Sequence, residues 1–214
     1  MKHFMKSIFF IVMASMFACS SNNLDLISQN DMSSEIEIQK NLQNSIKELY
    51  PLRFNLTNRI IVENLNENFK NCEIIDLLES KSVTSSNISD SAILVLEELK
   101  AVEVSNFSTK EEYIKSLNNL LDNKISGLSQ DEYSNLKFAV DISSYIIDIY
   151  LEQKIQTKGW WEDWGKCAAG IVGGAGLGAL GGAATGSAVP VLGTTAGAIV
   201  GGISGGLSGA AAAC

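Results

Sequence analysis

From Cys167 to Cys214 the chain runs 48 residues without a charged side chain, and two rows of glycine at a spacing of four organise that stretch. The first row is Gly170, Gly174, Gly178, Gly182 and Gly186; the second is Gly193, Gly197, Gly201, Gly205 and Gly209. Four residues make about one helical turn, so each row lines one face of a helix and lets a second backbone approach closely. All but Gly127, Gly159 and Gly165 of the 18 glycines fall in this stretch, so the composition changes abruptly after Lys166. Pro190 and Gly193 separate the rows and mark a helix stop and a chain reversal. The pattern predicts an antiparallel helical hairpin. Its two open ends carry Cys167 and Cys214, which such a hairpin sets side by side as the natural disulfide pair.

Each arm, 167–187 and 193–213, would make a helix about 31 Å long, close to the hydrocarbon thickness of a bilayer at about 30 Å. Glycine within a helix costs roughly 1 kcal/mol relative to alanine in water, so these arms need close packing or a bilayer to be stable. Ile171, Val172, Leu177, Leu180, Ile199, Val200, Ile203 and Leu207 interleave with the glycines, which sets the stretch apart from a disordered glycine-rich tail. All three tryptophans, Trp160, Trp161 and Trp164, precede it, with Lys166 at the boundary. Tryptophan favours the membrane–water interface, and a lysine there reaches headgroup level, so these four are read as interfacial residues.

The N-terminus has the three parts of an export signal: a short basic start with Lys2 and Lys6, an apolar run from Ile8 to Phe17, and the small-residue site Ala18-Cys19-Ser20. Met16-Phe17-Ala18-Cys19 resembles a bacterial lipobox, which implies cleavage before Cys19, acylation of that cysteine and an exported chain anchored in the envelope. Ser20 after the cysteine is compatible with sorting to the outer membrane. The expected organisation is a signal peptide at 1–18, a tether at 19–29, an acidic helical bundle at 30–156, a tryptophan-rich junction at 157–166 and the hairpin at 167–214.

The net charge is −8, and since the leader is basic and the hairpin neutral, the acid excess lies in the middle segment. No basic patch is available to neutralise phosphates, which argues against nucleic acid. The one histidine, His3, lies in the leader, so a processed chain lacks the commonest general base and zinc ligand. Ile38, Leu42, Ile46 and Leu49 form an apolar stripe ending at Pro51, and further helices are expected near 58–78, over Ala92 to Leu99, after a Ser108/Glu111 capping box, and over 130–156 behind a Ser129/Glu132 box. The fold class is therefore all-α: a bundle of four or five helices followed by a transmembrane-type hairpin. The carboxylate pairs Glu97-Glu98, Glu111-Glu112 and Asp131-Glu132 are read as helix-terminal or solvated charge rather than catalytic groups. No catalytic residue, metal ligand or cofactor motif is assigned. Cys72 is read as a small buried residue.

Trp164-Gly165-Lys166-Cys167-Ala168-Ala169-Gly170, with Gly173-Gly174, Gly178 and Gly181-Gly182, resembles the unmodified class II bacteriocins of the glycine-zipper kind. That resemblance covers Gly159 to Cys214 and implies permeabilisation of membranes, packing through the glycine rows and a Cys167–Cys214 bridge. It departs from the family in its leader and in the large acidic domain ahead of the hairpin. The lipobox together with a zipper hairpin also resembles two-helix glycine-zipper lipoproteins of the bacterial envelope, which implies a structural, non-toxic role. Both resemblances imply a lipid bilayer as partner, and the glycine rows also allow a homo-oligomer through the zipper.

Overall fold

A computed structural model of the chain describes residues 31–69, 88–154, 160–188 and 194–214. Among them are seven α-helices, three single 3₁₀ turns and no strand. Helices α1 (Asp31–Leu49), α2 (Asn58–Asn68), α3 (Asp90–Lys100), α4 (Lys110–Lys124) and α5 (Gln130–Lys154) form the bundle; α6 (Trp160–Ala188) and α7 (Thr194–Ala213) form the hairpin. The all-α expectation holds.

Local chemistry sets the helix starts. Thr57, Ser89 and Thr109 each stand in extended backbone and accept a bond from the backbone N–H three residues on. These are N-caps, which satisfy donors that a helix leaves orphaned. Ser129 and Glu132 form the expected reciprocal box: Ser129 Oγ accepts from Glu132 N at 3.3 Å, and Glu132 accepts from Ser129 N at 2.9 Å. The box before α4 is shifted by one residue from the expected Ser108/Glu111. Thr109 is the cap, and Glu112 reaches back to Ser108 N at 2.9 Å. Both neighbours can cap, and Thr109 is the one held in extended backbone where α4 begins.

The hairpin is part of the core rather than an appendage to it. One continuous cluster runs from Leu42 and Ile46 through Leu96, Tyr113, Ile142 and Ile146 to Ile171, Ile203 and Leu207. Helix α5 packs against both α6 and α7, α3 packs on α6, and α2 reaches α7. The compositional break at Lys166 is therefore not a break in packing. Helix α6 begins at Trp160, within the stretch 157–166 expected as the tryptophan-rich junction. Cys19, the lipobox, Cys72 and the turn around Pro190 lie outside the described residues.

Candidate functional site

The two glycine rows face each other. A methyl group built on Gly174 would strike the carbonyl oxygen of Gly205; on Gly178, that of Gly201; on Gly182, that of Gly197. The relation is reciprocal, because Gly201, Gly205 and Gly209 would strike the oxygens of Gly178, Gly174 and Gly170. Each pair steps four forward on α6 and four back on α7, so the register is antiparallel and constant. Gly193 lies outside the described residues. None of Gly170, Gly174, Gly178, Gly182, Gly201, Gly205 and Gly209 has a left-handed φ, so their value is closeness and not backbone freedom. Backbone meets backbone along the seam, the geometry in which Cα–H···O contacts arise, worth about 0.5–1 kcal/mol each.

Cys167 and Cys214 are disulfide-bonded, with their Cα atoms 4.6 Å apart at a sequence separation of 47. Cys167 is fully buried and Cys214 exposed at the open end. On the chain-entropy account a closed loop of this size contributes about 4 kcal/mol.

A second set of glycines, not singled out from sequence, faces the bundle. A methyl on Gly176 would strike Leu96 Cδ1 of α3, and one on Gly173 would lie 3.0 Å from Lys100 Cδ. On α7, a methyl on Gly202 would be 3.3 Å from Ile142 Cδ1, and one on Gly206 only 2.6 Å from Ile146 Cδ1, both on α5. The doublets Gly173-Gly174, Gly201-Gly202 and Gly205-Gly206 carry the signal. Adjacent helical residues are about 100° apart, so one member of each doublet serves the seam and the other faces the bundle.

The interfacial residues divide. Lys166 is exposed beside a surface groove lined by Lys100, Glu103, Val104 and Ala169. Trp160 and Trp161 lie in the first turn of α6, and the surroundings of their side chains are outside the described residues. Trp164 is fully buried, its ring centroid 5.6 Å from that of Tyr113 in an edge-to-face pair, with Phe107 5.8 Å beyond Tyr113. A tryptophan read as a boundary residue is here a core residue, because α4 and the segment before it supply an aromatic socket. Edge-to-face pairs add about 0.5–1.5 kcal/mol beyond area burial.

The acidic pairs have structural partners. Glu97 pairs with Lys100 at 2.8 Å, Glu98 with Lys124 at 2.7 Å, and Glu132 also accepts from Ser89 N at 2.9 Å. Burial pushes the Glu132 carboxyl up, but the backbone donors of Ser129 and Ser89 outweigh it and hold the group below its usual value. On α5, Asp148 pairs with the largely buried Lys110 at 2.6 Å. Asp141 loses hydration and is pushed up to about 6, with Lys137 pulling the other way. Among the described residues no group of three or more histidine, cysteine or carboxylate side chains could hold a metal ion.

Among the described residues one helical stretch, Trp164–Thr185, is long and apolar enough to cross a bilayer: 22 residues with a mean hydropathy of 1.5. More than half of it is buried inside the protein, and only Lys166, Leu177 and Thr185 along it are exposed. Leu177 is 51% exposed, and nothing lies within 4 Å of a methyl built on Gly181. No protein-family model, curated protein or solved structure matches this chain.

Proposed function

We propose that this chain is an exported bacterial lipoprotein, acylated at Cys19, whose glycine-zipper hairpin inserts into lipid bilayers and permeabilises them in the manner of a glycine-zipper bacteriocin. The observation that carries the reading is the hairpin itself. It combines a stretch without charge from Cys167 to Cys214, four glycine pairs in one register and a disulfide closing the open end. Helices of this kind satisfy their backbone groups internally and hold together through small-residue packing, which works where lipid removes the hydrophobic drive between helices. An envelope lipid anchor at Cys19 would keep the chain at a membrane surface. The zipper would act as a pair or as a larger homo-oligomer. No catalytic step is involved.

The burial of Trp164 and the docking of α5 on the hairpin favour a second reading, in which the chain is a structural outer-membrane lipoprotein and the hairpin stays packed on its bundle. Dye release from loaded vesicles of phosphatidylethanolamine and phosphatidylglycerol separates the two. The insertion reading expects release by the full chain, added natively or diluted from denaturing urea, with lower release after reduction of Cys167–Cys214 and loss of release in Gly178→Leu. Full-length protein that binds vesicles through its acyl group yet releases no dye, even when diluted into them from denaturing urea, would sustain the structural reading instead.

A further inference from the structure

We propose that the bundle is an autoinhibitory cap on the hairpin, with α5 lying in the groove between α6 and α7, and that the docked form described here is the inactive one. The inference rests on the membrane-insertion reading and adds to it what restrains the hairpin.

The doublets are the starting point. A hairpin that needed only to hold itself together requires one small-residue row per helix, and those rows are satisfied by the Gly170–Gly209 to Gly182–Gly197 pairs. Helix α7 carries a second row at the same spacing, Ala198, Gly202, Gly206 and Ala210, all buried. Across the groove α6 sets Ala175 and Ala179 opposite, 3.3 Å and 3.5 Å from methyls built on Gly206 and Gly202. Into this trough α5 lays Phe138, Ile142 and Ile146, one per turn. Rows of small residues that let another helix approach closely are typical of helix packing in membranes. Here an acidic helix outside the hairpin supplies the ridge.

Helix α3 closes a second side. Leu96 lies over Gly176, and the Lys100 stem lies along Gly173 while its ammonium turns outward to Glu97 at 2.8 Å. A long cationic side chain thus covers apolar backbone with methylenes and presents charge to water. The cap converts two faces of an uncharged hairpin into charged protein surface.

The cover is incomplete and imperfect. Leu177 and Gly181 stay open on α6. The Tyr113 hydroxyl, under the Trp164 contact, is buried without a hydrogen-bond partner among the described residues, and this weakens the docked state. A cap built this way can be displaced without breaking the zipper, because the two sets of glycines occupy different faces.

The test compares full-length proteins on dye-loaded phosphatidylethanolamine/phosphatidylglycerol vesicles. Ile142→Ala/Ile146→Ala truncates two of the three ridge side chains from the bundle side, and Gly176→Leu displaces α3 from the hairpin side without altering the bundle sequence. Far-UV circular dichroism checks that each stays helical. Both are expected to release dye at least about tenfold faster than wild type, since buried Ile→Ala changes are among the most disruptive of packing. Adding Gly178→Leu to either should abolish the gain. Wild-type release from urea dilution, with both undocking variants no faster than native wild type, would overturn the cap and leave the insertion reading standing. No release from any of them, urea-diluted wild type included, would overturn the insertion reading and the cap with it.

Discussion

What one methyl group would meet decides the role of each glycine in this hairpin. At Gly178 it meets the carbonyl oxygen of Gly201, and at Gly181 it meets nothing within 4 Å. Gly178→Ala should destabilise the protein by roughly 1–3 kcal/mol, because overpacking outweighs the gain in helix propensity. Gly181→Ala should stabilise it by roughly 0.5–1 kcal/mol, since only the propensity gain remains. Urea unfolding of both variants checks the pair, and equal effects would mean that the seam is not packed as described. The seam glycines were legible because spacing four is a one-dimensional signal. Gly176 and Gly206 were not, because what each one meets, Leu96 or Ile146, lies far away in sequence.

Helix α5 shows what periodicity can and cannot say about an element. Its buried positions include Leu136, Phe138, Ala139, Val140, Ile142, Ile146, Ile147, Ile149 and Tyr150, more than one face of a helix. A helix apolar on several sides is central, yet its extent and cap were readable while its neighbours on the hairpin side were not. On this element Asp141 is held up to about 6 by loss of hydration, against a free value of 3.8. The folded state therefore binds the proton more readily than the unfolded chain, and stability rises as pH falls from 7 through 6 towards 4. Asp141→Asn should stabilise the protein by roughly 1–3 kcal/mol at pH 7, with the advantage fading below pH 6. Urea titrations at pH 7 and at pH 4.5 measure it, and an advantage that grows in acid would contradict the burial of this carboxyl. The start of α4 marks the limit of cap reading: Ser108 and Thr109 both fit the pattern, and only the backbone conformation chose Thr109.

Across the whole molecule the bundle and hairpin share one core, with Trp164 against Tyr113 and α5 against both hairpin arms. Unfolding should accordingly be a single transition, with helicity at 222 nm and tryptophan fluorescence changing together along a urea titration. Two separated transitions would show that hairpin and bundle fold independently. The helical class, the position of the hairpin, its seam and its closing cysteines were readable from the sequence alone. Each depends on local periodicity, on charge that is absent, or on the symmetry of two antiparallel arms. The burial of Trp164, the second job of the glycine doublets and the merging of two compositional segments into one core were decided by tertiary structure. Those depend on complementary shapes between residues distant in the chain, and local pattern carries no record of which distant surface will fill a given groove.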